Sequence, residues 1–85
     1  MAFYVYLLEC CDKSLYCGWT NDLNKRVKAH NKGTASKYTK VRRPVRLVFF
    51  EEAESKSLAM KREFKIKSFS REKKLALVSR YHANN

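Results

Sequence analysis

The sequence predicts an α+β domain, a small three-stranded antiparallel sheet flanked by helices in the order β-β-α-β-α-α. Three observations carry this. Aromatic and branched apolar residues fill short runs at positions 3–10, 15–19 and 45–52. Three other segments, 23–30, 56–69 and 71–81, begin behind Asp or Ser and repeat apolar residues at helical spacing. Only two Gly and one Pro interrupt the 85 residues, and 45% are hydrophobic, the composition of one globular unit. A single domain over residues 1–85 is expected, with a core of about 3–71, a third helix of about 71–81 and a frayed tail at 82–85.

Each element has a local cause. In the first strand Phe3, Val5 and Leu7 point one way, and Tyr4, Tyr6 and Leu8 the other. Cys11-Asp12-Lys13-Ser14 supplies the turn to the return strand. Thr20-Asn21-Asp22 offers N-cap chemistry to a helix whose apolar side is Leu23, Val27 and Ala29. Gly33 stops it, being free to adopt the left-handed conformation. Arg26 and His30 lie four apart and share a face. Residues 34–43 are polar, basic and without period, and read as a loop ended by Pro44. In the third strand Val45, Leu47 and Phe49 alternate with Arg46, Val48 and Phe50. Glu54-Ser55 opens the second helix. Ser70 caps the third, with Leu75 and Val78 on its inner side.

Charge narrows the partners. Nineteen Lys and Arg face eight Asp and Glu, for a net charge of +11, and residues 25–46 hold nine of the basic residues with no acid. Such a stretch favours a polyanion, nucleic acid ahead of an anionic membrane. Cys10, Cys11 and Cys17 are an odd, clustered set without a CxxC, and His30 and His82 bear no ligand spacing to them. This argues against a zinc site or a disulfide framework and for packed, reduced thiols. No apolar run approaches the roughly 20 residues of a membrane span. The opening MAFYVYLLEC lacks both a basic segment and a small-residue cleavage site, so it reads as a strand and not a signal sequence. A cytoplasmic monomer without membrane contact is the default expectation.

One acid is out of place. On a wheel of the second helix, Lys61 and Lys65 mark the solvent side, and Glu63 lies opposite, beside Ala59, Met60 and Ile66. An unpaired buried carboxylate costs on the order of several kcal/mol, so Glu63 needs a partner. That partner is either an Arg or Lys in a structural ion pair or a metal ion in a cleft; in so basic a chain, a lone inward acid suits a divalent cation bridging to phosphate. The tyrosines, Arg26 and His30 each have a plain reading too: core or rim tyrosines, a solvated arginine, a histidine favoured by a helix C-terminus.

Their coexistence resembles the GIY-YIG nuclease superfamily. Tyr4-Val5-Tyr6 and Tyr16-Cys17-Gly18, with Tyr6 and Tyr16 ten apart, resemble its paired motif. Arg26 lies ten residues after Tyr16, where the family has its catalytic arginine, and His30 matches a histidine of several branches. Glu63 falls where the family's metal-binding glutamate lies, and residues 59–67 are similar to the short, single-domain bacterial branch. Tyr4 and Cys17 depart from the motif's usual glycine and isoleucine. Trp19 stands where some relatives have a lysine, and the family's late asparagine has no clear counterpart.

The resemblance implies a metal-dependent endonuclease that cuts phosphodiesters, DNA being the favoured substrate, to 5′-phosphate and 3′-hydroxyl ends. Tyr6, Tyr16, Arg26, His30 and Glu63 would be catalytic, with Glu63 holding magnesium or manganese. Lys37, Lys40, Arg42 and Arg43 would contact the nucleic-acid backbone. A tyrosine phenol ionises at about pH 10, so a phenolate base would need cations beside it, and His30 is the fallback base. A non-catalytic nucleic-acid-binding module, either a degenerate nuclease or a ribosome-associated protein, fits charge and size equally well; the inward Glu63 discriminates against it. The nuclease reading makes one demand on the fold. Tyr6 and Tyr16 share a sheet face only if opposing residue numbers sum to an even number or a bulge intervenes. A plain two-residue turn at Asp12-Lys13 would separate them.

Overall fold

The turn after the first strand decides where every hairpin side chain points. The computed structural model describes residues 2–83, and in it β1 (Phe3–Glu9) pairs antiparallel with β2 (Leu15–Thr20). The Lys13 N–H donates to the Cys10 carbonyl and the Cys10 N–H to the Ser14 carbonyl, both at 2.9 Å. This leaves a three-residue loop, Cys11-Asp12-Lys13, closed by Lys13 at φ 70°. The Asp12 carboxylate holds it, accepting from the Ser14 N–H at 3.0 Å and the Ser14 hydroxyl at 2.6 Å. Three loop residues give the even register: Tyr6 opposes Gly18 and Leu8 opposes Tyr16, so both tyrosines lie on one face.

The sheet order is β2-β1-β3, with β3 at Arg46–Ala53. The central strand is covered on both faces, which is why Val5 to Leu8 are all buried. Val5 and Leu7 pack with Cys17, Val48, Phe49, Ala59 and Ile66. Tyr6 and Leu8 form the other half of the core with Cys10 and Val45, against which Leu23, Val27 and Phe50 pack. The register with β3 shifts between Leu7 and Leu8, and Val48 and Phe49 fall in the same half of the core. The expected alternation in this strand therefore fails. A bulge places two successive residues against one, and Val45, Leu47 and Phe50 join the Tyr6 side.

Helix α1 (Leu23–Lys32) is capped by Asp22, whose carboxylate accepts from the Lys25 N–H at 3.1 Å, and ends at Gly33 with φ 83°. Its inner stripe is Leu23, Val27 and the fully buried His30, in place of the expected Ala29. Residues 34–43, expected as a loop, contain one helical turn, α2 (Lys37–Lys40), started by the Ser36 hydroxyl accepting from the Tyr38 N–H. A four-residue helix has no period to read, so the sequence hid it. The Asn31 amide fixes this segment's far end: it donates to the Val45 carbonyl at 3.0 Å and accepts from the Val45 N–H at 2.8 Å.

Helices α3 (Lys56–Lys67) and α4 (Arg71–Ala83) cover the opposite face. Ser55 caps α3 and Ser70 caps α4 through their hydroxyls. Helix α3 ends two residues before the expected Phe69. Helix α4 runs through His82 and Ala83, which were expected to fray; Asn84 and Asn85 of that expected tail lie outside the described residues.

Asn31→Ala removes both partners of the Val45 backbone at once, and Val45 is buried. The expected loss is about 2 kcal/mol in urea unfolding, with Leu at the same position no better. An unchanged midpoint would show that the clamp is not needed to hold the 34–45 segment.

Candidate active site

Four of the five residues assigned to catalysis line one cleft. Tyr6 from β1, Tyr16 and Gly18 from β2, Arg26 from α1 and Lys56 and Glu63 from α3 surround about 380 Å³ at the β2 edge of the sheet. Chain separation is large, and the elements meet because β2 is an edge strand with α1 behind one face and α3 behind the other.

Gly18 is the condition for Tyr6. The two residues oppose each other across the hairpin, and a Cβ at Gly18 would lie 2.5 Å from the Tyr6 Oη. The phenol fits only because that side chain is missing. Tyr6 is 1% exposed, yet its hydroxyl reaches the cleft over Gly18.

His30 does not line the cleft. It is wholly buried behind Tyr6, with Nε2 2.9 Å from the Tyr6 hydroxyl and Nδ1 2.8 Å from Thr39 Oγ1. The Thr39 hydroxyl donates to the Ser36 carbonyl at 3.4 Å, so it accepts from the Nδ1–H, and Nε2 accepts from Tyr6. The imidazole is thus held as one neutral tautomer. Burial, then the Arg26 charge, push its pKa down to about 4. Burial pushes the Tyr6 phenol up to about 12, outweighing hydrogen bonding and charge from Arg26. With no metal ion beside it, desolvation of the Tyr6 phenol outweighs the favourable charge of Arg26. His30, the fallback base, is wholly buried, with both ring nitrogens engaged in the interior.

The Tyr16 ring meets His30 edge-on at 5.1 Å and stacks on Tyr38 at 5.9 Å. Arg42 lies over the Tyr38 ring, 3.8 Å from its centre, and pairs with Asp12 at 3.1 Å. Of the four cations assigned to backbone contact, Arg42 is thus engaged by the hairpin turn. Arg43 donates to the Lys40 carbonyl at 2.8 Å and the Asn31 carbonyl at 3.4 Å, closing the ends of α2 and α1. Lys37 and Lys40 are exposed, and none of the four lines the cleft.

Glu63 sits at the rim of the inner face of α3, its side chain 20% exposed. The buried residues of that helix are Ala59 and Ile66, whereas Met60, expected inward, is 48% exposed. Of the two readings weighed for Glu63, the ion pair is present only as a long contact of 3.7 Å to Lys67 one turn on. Arg62, the neighbouring cation, is taken by Glu51 at 2.6 Å. Among the described residues no group of three or more His, Cys, Asp or Glu side chains converges. A single half-buried carboxylate facing a cleft suits a hard ion that keeps most of its water and takes its remaining oxygens from substrate phosphate, as magnesium and manganese do. It does not suit a closed zinc site.

Three contributors were missed in the sequence. Thr39, which fixes the His30 tautomer, lies in the segment read as loop, and Tyr38 beside it supports Tyr16. Lys56 opens α3 and lies with its ammonium 5.6 Å above the Trp19 ring. Only the cap at Ser55 signalled where that lysine would be.

The GIY-YIG catalytic domain family model matches residues 2–76. The chain belongs to the GIY-YIG family. It is 57% identical to UPF0213 protein CPE1444 of Clostridium perfringens over 76 residues, covering 89% of this chain and 82% of that one. The solution structure of UPF0213 protein BH0048 from Bacillus halodurans is 48% identical with a TM-score of 0.59, over 93% of this chain and 84% of that chain. Protein EF2693 from E. faecalis is 36% identical with a TM-score of 0.66, over 98% and 88%. The fold and the small single-domain GIY-YIG branch expected from the residues are both found.

Two outcomes follow from this geometry. Gly18→Ala should destabilise the fold by about 1–3 kcal/mol, and by much less in a Tyr6→Ala background, as thermal unfolding of the cycle would record. Additive losses would mean the ring and the glycine are not coupled. Second, His30 titrates at about 4 when folded against 6.5 unfolded, so the unfolded chain binds the proton first. Stability is then fully present above about pH 6.5 and falls as pH drops toward 4, by up to about 3 kcal/mol. His30→Gln should flatten that part of the urea-unfolding profile, and parallel profiles would refute the assignment.

Proposed function

We propose that this GIY-YIG domain is a metal-dependent endonuclease that hydrolyses DNA phosphodiesters to 5′-phosphate and 3′-hydroxyl ends. The observation that carries the reading is the convergence of Tyr6, Tyr16, Arg26 and Glu63 on one cleft, with His30 hydrogen-bonded behind Tyr6.

Phosphodiester hydrolysis needs a positioned water, charge stabilisation at phosphorus and help for the departing oxygen. Arg26 meets the non-bridging oxygens; among the described residues it enters no ion pair, and its fork is shaped for phosphate. The Tyr6 hydroxyl takes the proton of the attacking water as it passes its own proton to His30 Nε2. Thr39 stabilises the imidazolium that results, by accepting from the Nδ1–H. The water oxygen bonds to phosphorus, the bond to the 3′ oxygen breaks, and that oxygen leaves protonated from solvent. A magnesium or manganese ion held by Glu63 supplies, when bound, neutralisation of phosphate charge and of the charge developing on the 3′ oxygen. Tyr16, braced by Tyr38, walls the water site. Outside the cleft Lys37 and Lys40, with the free N–H groups of Arg42 and Arg43, add sequence-independent backbone contacts.

The test compares wild type, Glu63→Gln and Tyr6→Phe on labelled single-stranded, duplex and branched DNA and on RNA, with magnesium or manganese. Metal-dependent cleavage that vanishes in Glu63→Gln and drops about 100-fold or more in Tyr6→Phe, with binding retained, is the expected result. In the same assay the acid limb of kcat/KM should lie near the lowered His30 pKa of about 4 and not at 6.5. Binding by every protein with no cut in any substrate would replace the nuclease with a binding module.

A further inference from the structure

We infer that Lys56 holds a phosphate of the bound strand, the one flanking the scissile phosphodiester, and that Trp19 is the platform that presents it. The inference rests on the nuclease reading above and adds a second phosphate subsite to it.

The side chain is badly placed for helix stability. Lys56 is the first residue of α3, and no acid occupies that first turn. A cation there opposes the helix dipole. Its stem is not simply extended into solvent: the ammonium lies 5.6 Å above the Trp19 ring, and both side chains line the cleft. Trp19 is itself held by Phe3, ring centroids 6.4 Å apart, and packs against the Val5 half of the core. Among the described residues Lys56 enters no ion pair, whereas Arg42, Arg46, Arg62 and Lys67 each meet a carboxylate. Arg26 and Lys56 are the cations that line this cleft.

The two cations divide the work by position. Arg26 stands beside Tyr6, whose titration it lowers, and so faces the reacting phosphorus. Lys56 enters from the Trp19 side, off the β2 edge. An ammonium is a compact charge with three donors, suited to a phosphate without demanding one orientation. The flat indole beneath it keeps it over the strand's path without neutralising it.

The experiment reads binding, so it does not depend on cleavage. Glu63→Gln with and without Lys56→Gln is titrated with a labelled oligonucleotide in metal-free buffer across a salt series. Loss of one phosphate contact should reduce the slope of log K against log salt by about 0.7 on single strands or about 0.9 on duplex. Lys56→Arg should restore the slope, and Lys61→Gln, on the far side of the same helix, should leave it unchanged. In the protein with Glu63 intact, Lys56→Gln should raise KM several-fold more than it lowers kcat. An unchanged slope in Lys56→Gln, an equal loss in Lys61→Gln, or no binding at all overturns the proposal. A normal slope change in a protein that never cuts would retain the phosphate contact and sink the nuclease reading alone.

Discussion

Tyr6 and His30 meet at 2.9 Å in the interior, where one face of the sheet would otherwise be hydrocarbon. A polar pair in such a place is stable only if every donor and acceptor is satisfied. That requirement spreads outward. The His30 Nδ1–H needs Thr39, which needs the helical turn of α2, which needs the Ser36 cap. Asn31 and Arg43 tie the far end of that segment to α1. Tyr6 in turn needs Gly18 opposite it, and so an even register, and so three loop residues at Cys11-Asp12-Lys13. Among the described residues no buried side-chain nitrogen or oxygen is left without a partner. Removing Thr39 would therefore harm the site without touching the cleft, by leaving His30 free to turn.

Charge is distributed less simply than the total of +11 implies. Arg42 closes the hairpin turn, Arg43 closes two helix ends, Arg46 meets Glu9 at 2.8 Å and Arg62 meets Glu51. These arginines act first as structural donors, because a planar fork satisfies several carbonyls or a carboxylate at once. The exposed pairs add little stability. Lysines are left for the surface, and Lys56 with Arg26 for the cleft. The basic stretch along 25–46 points to a polyanion and includes Arg26, but it leaves out Lys56 of α3, the other cation of the cleft.

Where sequence reading succeeded, one residue's chemistry or one period carried the information. The alternation of β1, the caps at Asp22, Ser55 and Ser70, and the inward tilt of Glu63 are each local. The Tyr6, Tyr16 and Arg26 spacing was legible because it repeats a family pattern. What stayed hidden is tertiary. The bulge at Val48 depends on packing against both halves of the core, so strict alternation misassigned Phe49 and Phe50. Helix α2 is too short to carry a period. Met60 lies outward because Ala59 and Ile66 already fill the inner arc. Lys56 reads as an ordinary solvated lysine until the Trp19 ring appears beneath it.

The titration of the central pair bears on the proposed reaction. Burial drives Tyr6 up to about 12 and His30 down to about 4, so in the free protein the proton rests firmly on the tyrosine. Transfer to His30 is then strongly uphill, and the pair is no base at all. Arg26 contributes to this, since its charge is the second cause lowering His30. In the proposed reaction a phosphodiester seated on Arg26 would bring a negative charge that offsets the guanidinium and raises the affinity of both groups for protons. The histidine would then be a better acceptor and a free phenolate still less accessible, which favours the coupled route proposed above through the Tyr6 hydroxyl. On the proposed reading substrate charge would complete the base, and Arg26, second to burial in lowering His30, would be both the phosphate contact and part of what keeps that ring unprotonated until the phosphate arrives.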